Sequence, residues 1–308
     1  MPDAMAVETE LFAELKARLP HSVVKQNEPL ARRTTLRVGG PAELYCEPAG
    51  EADLAAAVAW CAERALPFLM LGRGSNLLIR DGGVRGLVLH LAAPVFSSVE
   101  ARGDTLRCGA GAKLKMVSGR ARELSLGGLE FLEGIPGSVG GALRMNAGAM
   151  GAATGDVITR VRYMDFEGRV AEIDAPEIPF GYRSSPFFRT HLALAADFRG
   201  KPAPRETILQ TTRALNAKRW ESQPKEPSAG CMFKNPATPA GRLIDELGLK
   251  GTRVGGASVS TVHGNFIVNE GDATARDVLD LISLIQARAR AARGIELQTE
   301  VEIIGEDL

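Results

Sequence analysis

Gly134-Ile135-Pro136-Gly137-Ser138-Val139-Gly140-Gly141-Ala142-Leu143-Arg144-Met145-Asn146-Ala147-Gly148 is the stretch on which the reading of the fold turns. Five of its fifteen residues are glycine, none is acidic, and Arg144 carries the one charge. Glycine serves where a backbone must turn with positive φ or approach another group closely. Successive backbone N–H groups in such a turn form a concavity that suits phosphate oxygens. An anionic guest is therefore expected, although a plain connecting loop explains any single stretch of this kind equally well.

A second stretch, Gly72-Arg73-Gly74-Ser75-Asn76-Leu77-Leu78, follows the apolar run Phe68–Leu71, which reads as a short buried strand. It holds half of a dinucleotide fingerprint. The third glycine is missing, and Leu77–Ile79 and Asp81–Gly83 read as strand and turn where a helix should begin, so a Rossmann unit is disfavoured. The chain has no Gly-x-x-x-x-Gly-Lys-Ser/Thr run, which excludes a P-loop. Two phosphate-type loops without either scaffold predict some other way of holding a diphosphate cofactor.

Composition narrows the class. The 308 residues allow one large domain or two to three smaller ones. Lys+Arg and Asp+Glu cancel at 37 each, which argues against a nucleic-acid partner held by bulk positive charge. There is no apolar run of transmembrane length and no secretion signal, so no membrane partner and a cytoplasmic location are expected. Cys46, Cys61, Cys108 and Cys231 form no CxxC pair and fit free thiols, with Cys61 placed in the core. The four histidines are scattered, so no metal is expected.

Along the chain, Leu11, Leu15 and Leu19 predict a helix over 7–19, ended by Pro20. A strand ending at Cys46, a helix over 50–65 and the strand Phe68–Leu71 make a βαβ unit with a right-handed crossover. A strand over 84–91 follows. A second lobe starts near Val95, with a hairpin turning at Gly103-Asp104, a helix over 113–125 closed by Gly127-Gly128, a hairpin turning at Glu167-Gly168 and a strand over 192–198. Lys201–Pro204 reads as a linker. Beyond it come helices over 206–220 and 242–247 and a strand over 263–268. Thr274-Ala-Arg-Asp277 then opens a helix with Val278, Leu281, Ile282, Ile285 and Ala289 inward and Gly294 at its end. A closing strand over 296–304 sets Glu300 opposite the face of Leu297 and Val301.

Thr34–Ala42, Leu71–Leu78 and Gly134–Gly148, in that order, are followed by Phe180-Gly-Tyr-Arg183, Ser228-Ala-Gly-Cys-Met-Phe-Lys-Asn-Pro236 and Thr299-Glu-Val301. From about Thr34 to the C-terminus this set resembles the UDP-N-acetylenolpyruvoylglucosamine reductase family. The resemblance implies an α+β fold: a two-lobed FAD-binding domain of the vanillyl-alcohol-oxidase/PCMH type over 34–200 (lobes about 34–92 and 93–200). A lead-in over 1–33 precedes it, and a C-terminal α+β substrate domain over 204–308 follows. It also implies tight, non-covalent FAD held by Gly72, Arg73, Gly74, Ser75, Asn76 and Leu77 and by Gly134, Ile135, Pro136, Gly137, Ser138, Gly140, Gly141 and Asn146. NADPH would be the co-substrate, and a monomeric enzyme would reduce UDP-N-acetylglucosamine enolpyruvate to UDP-N-acetylmuramate for peptidoglycan synthesis.

Reducing an enol ether attached to a carboxylate needs a hydride at the terminal vinyl carbon, stabilisation of charge on the carboxylate and a proton at the neighbouring carbon. No side chain donates hydride, which is the cofactor's part. By the resemblance Cys231 gives the proton, standing where the family usually has Ser. A thiol near its reference pKa of about 8.5 is mostly protonated at neutral pH, although a nearby Lys234 would lower it. Arg183 would grip the carboxylate by a forked contact, with Glu300 as its acidic companion. Lys234, Asn235, Glu270, Arg219 and Tyr182 would contact the sugar nucleotide. Taken singly, Cys231 would be an inert thiol, Arg183 and Arg219 solvated cations, Glu300 the open side of a strand and His263 structural. There is no room between Phe188 and Leu192 for the tyrosine-bearing insertion of the longer subclass. An oxidase of the same flavin-binding superfamily and a non-catalytic sugar-nucleotide sensor are the competing readings.

Overall fold

The computed structural model describes residues 4–308. Its first elements are α1 (Ala4–Arg18), β1 (Val23–Pro29), β2 (Pro41–Glu47), α2 (Glu51–Glu63), β3 (Phe68–Leu71), β4 (Leu77–Ile79) and β5 (Val84–His90). Next come β6 (Val99–Arg102), β7 (Thr105–Gly109), α3 (Leu114–Glu123), β8 (Leu126–Gly127), α4 (Val139–Met145), β9 (Gly148–Ala149) and β10 (Ala152–Ala153). They are followed by β11 (Ile158–Asp165), β12 (Val170–Asp174), β13 (His191–Arg199), β14 (Lys201–Pro202) and α5 (Arg205–Ser222). The chain ends with β15 (Ser228–Cys231), α6 (Ala240–Glu246), β16 (Arg253–Val254), β17 (Ala257–Val259), β18 (Phe266–Asn269), α7 (Ala275–Arg293) and β19 (Glu302–Ile304).

These elements gather into two compact units, each drawn from separated segments. The first comprises the chain up to Gln26, Glu43–Gly72 and Gly86–Ala217. It contains most of a sheet ordered β1-β2-β5-β3 and a five-stranded sheet ordered β12-β11-β13-β7-β6. The expected βαβ strands β2 and β3 are not neighbours, because β5 lies between them and pairs parallel with β3. One apolar cluster joins Leu15 and Leu19 to the α2 face Leu54, Val58 and Cys61; another joins Leu114, Val117 and Ala121 to Val139 and Leu143. Both hairpins form with the expected turns. Helix α3 stops at a left-handed Ser125 (φ 58) before the two glycines. The expected linker is not free, since Lys201–Pro202 pairs antiparallel with Leu126–Gly127.

The second unit comprises Asn27–Ala42, Arg73–Arg85 and Lys218–Leu308. Its antiparallel sheet runs β15-β18-β17-β16 under α7. All the local signals of α7 are realised. Thr274 Oγ1 accepts from Asp277 N–H (3.1 Å), Asp277 answers Thr274 N–H (2.9 Å), and Val278, Leu281, Ile282, Ile285 and Ala289 are buried. Gly294 ends it at φ 66. The two early segments join through polar bonds: Asn269 donates to Leu36 O (3.0 Å), and the Asp81 carboxylate accepts from Ala275 and Arg276 N–H (2.9 Å each). The closing strand is shorter than expected. Only Glu302–Ile304 forms a ladder, parallel to β4, and 296–301 is irregular apart from a Phe233↔Thr299 bridge. Strand β18 likewise begins at Phe266, after a turn over 263–265.

Candidate active site

The glycine-rich stretch is only partly a loop. Ser138 caps α4 (Gly141 N–H to Ser138 Oγ, 3.4 Å), and Asn146 ends the helix in the left-handed region at φ 41. Several amides expected to face a guest are committed internally: Ile135 to Leu132 O (3.2 Å), Gly137 to Ile135 O (2.8 Å), Val139 to Ala112 O (2.9 Å) and Gly140 to Ala110 O (2.7 Å). What the stretch presents is bare backbone. A Cβ on Gly72 would stand 3.0 Å from Ser138 Oγ and 4.0 Å from Gly141 Cα, so Gly72 closely approaches the start of α4 beside the Ser138 hydroxyl. Neither stretch has a carboxylate. Bare backbone without acid suits close approach of a diphosphate cofactor, and on this ground the residues present fit FAD.

The rest of the first loop belongs to the second unit. Gly74 must be glycine, because at φ 58 its Cβ would lie 2.7 Å from Arg33 O and 2.8 Å from Thr34 Cα. Asn76 Nδ2 donates to Glu300 O (3.3 Å), Glu302 N–H donates to Asn76 O (3.0 Å), and Leu77 pairs with Glu302. Asn76 thus fixes the backbone of Glu300, a tie no sequence pattern announces.

Cys231 ends β15 on a bulge. Ser228 pairs with Val268 and Cys231 with Phe266, so three steps on one strand answer two on the other. Gly230 absorbs the extra residue at φ 77, with no atom within 4 Å of where a Cβ would be. Asn265, 2% exposed and missed by the sequence reading, clamps the next residues. It accepts from Phe233 N–H (2.9 Å) and donates to Phe233 O (2.8 Å) through its side chain, and its carbonyl takes Met232 N–H (2.8 Å). Met232 O accepts Glu300 N–H (2.8 Å), so Cys231 and Glu300 issue from paired segments. Cys231 is half-buried, whereas Cys46, Cys61 and Cys108 are buried. Burial pushes the Cys46 and Cys61 thiols up to about 12 and Cys108 upward as well. His263 acts structurally, its Nδ1 accepting Asn265 N–H (3.1 Å).

Arg183 stands in the first unit, in a tight turn where Gly181 N–H donates to Ser184 O (2.8 Å). Its own φ is 52, a conformation that costs an L-residue about 1 kcal/mol or more. Its guanidinium carbon lies 5.6 Å from the centre of the Tyr182 ring, which is 67% exposed.

Of the expected sugar-nucleotide contacts, Lys234 and Asn235 are exposed, and Asn235 Oδ1 accepts Ala240 N–H at the start of α6 (3.1 Å). Glu270 is engaged by the Ser258 hydroxyl (2.6 Å) and Arg253 (2.8 Å), which hold its carboxyl below the usual range. Arg219 is half-buried over the exposed Trp220 (5.8 Å), donates to Gln223 Oε1 (3.0 Å) and pairs with no carboxylate among the described residues; burial lowers its pKa. A cavity of about 550 Å³ lies elsewhere, lined by Thr105, Thr159, Arg160, Asp174, Asp197 and Arg199, and contains none of the expected residues. Among the described residues no trio of His, Cys, Asp or Glu could hold a metal, and no helix is long and apolar enough to cross a membrane.

Residues 42–174 match the profile described as FAD binding domain, and 223–304 that of UDP-N-acetylenolpyruvoylglucosamine reductase, C-terminal domain. The chain is 44% identical to the UDP-N-acetylenolpyruvoylglucosamine reductase of Heliobacterium modesticaldum, over 91% of this chain and 90% of that one. It is also 44% identical to that of Rhodopseudomonas palustris, over 96% and 97%. The crystal structure of the Thermus caldophilus enzyme superposes with a TM-score of 0.81 at 38% identity, over 92% of this chain and 99% of that one. The architecture is thus an FAD-binding domain of the PCMH type with a reductase C-terminal domain.

Proposed function

The chain belongs to the UDP-N-acetylenolpyruvoylglucosamine reductase family of FAD-dependent oxidoreductases, and from that premise we propose that it reduces UDP-N-acetylglucosamine enolpyruvate to UDP-N-acetylmuramate at the expense of NADPH. Bound FAD supplies the two-electron relay that carries hydride from NADPH to the terminal vinyl carbon. Gly72–Leu77 and Gly134–Gly141 would hold it. As hydride arrives, the vinyl electron pair moves toward the substrate carboxylate. Arg183 meets that charge with a forked guanidinium contact, which strengthens as the enolate develops. Cys231 gives its S–H proton to the neighbouring carbon, and the thiolate regains a proton from solvent. Glu300, whose N–H donates to Met232 O one residue past Cys231, would polarise the enolate or relay the proton. Arg219, a half-buried cation with no carboxylate partner among the described residues, suits the substrate diphosphate with Lys234. Free thiols fit a cytoplasmic setting.

The observation that carries this reading is the bond from Glu300 N–H to Met232 O, which anchors the candidate acid and its companion through one carbonyl. Anaerobic visible spectra test it. Oxidised-flavin bands should bleach with NADPH and return only with the enolpyruvyl sugar nucleotide. Flavin that bleaches but ignores that substrate would move the reading to another flavoenzyme.

A further inference from the structure

We propose that Asn146 is a positioning residue, a tether between the glycine-rich stretch and the turn that carries Arg183; the proposal rests on the reading of Arg183 as the carboxylate grip. Asn146 occupies the left-handed end of α4 (φ 41, ψ 53), a place that glycine fills at less conformational cost. The side chain must therefore return something. Its Oδ1 accepts Gly155 N–H at 2.9 Å, and its Nδ2 donates to Gly181 O at 3.2 Å. The partners force this amide orientation, one being a donor and the other an acceptor.

The surroundings are built for the approach. A Cβ on Gly155 would lie 3.0 Å from the Phe180 ring and 3.2 Å from Asn146 Oδ1, so a larger residue there would push Phe180 or Asn146 back by a few tenths of an ångström. A second tie runs beside it, from Ser185 N–H to Arg144 O (3.1 Å), onto a carbonyl in the last turn of α4. The turn itself is weakly closed on this side. Ser184 N–H reaches Gly181 O at 3.4 Å, longer than the 3.2 Å bond from Asn146 to the same oxygen. Arg183 sits within that turn at φ 52, and a strained residue keeps its conformation only where neighbours over-determine it. Asn146 and Arg144 O supply that determination. Asn146, which the resemblance placed among the flavin contacts, thus spends its Oδ1 and one Nδ2 hydrogen on protein partners.

Asn146→Gly tests this in the holoenzyme, because glycine keeps the left-handed backbone and deletes both side-chain bonds. Asn146→Asp is the second variant, keeping the Gly155 acceptor while setting a carboxylate oxygen against Gly181 O. Amide hydrogen exchange at Ser184 and Ser185 should rise in both, whatever Arg183 binds. FAD affinity of the apoprotein and flavin reduction by NADPH should stay within about twofold, whereas binding of the enolpyruvyl sugar nucleotide and flavin reoxidation by it should weaken about tenfold. In an Arg183→Ala background the same substitutions should add less than about twofold. Parent-like exchange at Ser184 and Ser185 would overturn the tether. Losses of FAD affinity that track the losses with substrate would make Asn146 a flavin contact, and full additivity with Arg183→Ala would remove Arg183 from its action. If Arg183→Ala alone binds and turns over substrate like the parent, the carboxylate reading fails, and the exchange result still decides the tether.

Discussion

Replacing Asn265 with alanine should unsettle the segment that presents Cys231. The side chain is 2% exposed and holds both polar groups of Phe233, accepting from its N–H at 2.9 Å and donating to its carbonyl at 2.8 Å. Phe233 is 1% exposed, so water reaches neither group easily. A buried group left without a partner costs about 1–3 kcal/mol, so two of them cost about 2–6 kcal/mol. Truncation to alanine opens space in which a water could relieve part of this, which places the expected loss near about 3 kcal/mol. For a protein of 308 residues that is a fall of roughly 4–6 °C in apparent Tm. The assay is thermal unfolding followed by circular dichroism with FAD saturating, so that cofactor loss does not set the midpoint. Asn265→Asp should be no milder, because it keeps the acceptor but turns a carboxylate oxygen toward Phe233 O. A fall below about 2 °C in Asn265→Ala, or a parent-like Asn265→Asp, would refute the assignment of both bonds.

Cys231→Ser should keep hydride transfer and much of the turnover, and Cys231→Ala should stall at protonation; steady-state assays with product analysis decide, and parent-like turnover in the alanine variant would end the proton-donor role. Gly230→Ala meets no atom within 4 Å, so only its φ of 77 is penalised. The stability loss in chemical denaturation should be about 1–2 kcal/mol, and an unchanged midpoint would mean that the bulge does not need its left-handed residue. Glu270 is held below the usual range first by Ser258 and then by Arg253. A carboxyl whose folded pKa is depressed adds stability above its unfolded value of about 4.3, and that stability is lost as pH falls through the folded value. Arg253→Ala should raise the Glu270 titration toward its ordinary value in side-chain carboxyl NMR, and an unmoved titration would contradict the pairing.

What could be read from the sequence follows the range of the interaction that fixes each feature. Helix α7 was legible throughout because its cap, apolar stripe and terminal glycine all lie within twenty-one residues of one another. Helix α4 was not. Its seven residues include two glycines and would not be helical alone; the fold makes them so by anchoring Val139 and Gly140 on the carbonyls of Ala112 and Ala110 and Arg144 on Ser185. The same anchoring consumes the amides that a free glycine loop would have offered. The insertion of β5 between β2 and β3 depends on pairings that no local pattern encodes. Motif identity and motif geometry part company most clearly at Cys231. The run from Ser228 to Pro236 marks the position, yet the bulge at Gly230 and the Asn265 clamp that shape its backbone become visible only when Phe266 and Val268 are laid alongside. Asn265 carries no signal of its own, being one polar residue among several (Ser260, Thr261, His263) before the strand. Its role follows from a general constraint: a chain that leaves its ladder to present one side chain must find partners for the N–H and C=O it uncouples. The order of His263-Gly-Asn265 before Phe266 gives those partners a fixed distance from the strand, since Phe266 N–H closes the turn on His263 O at 3.0 Å. The backbone that presents Cys231 is therefore specified by two segments thirty-two residues apart, and a change in either moves it.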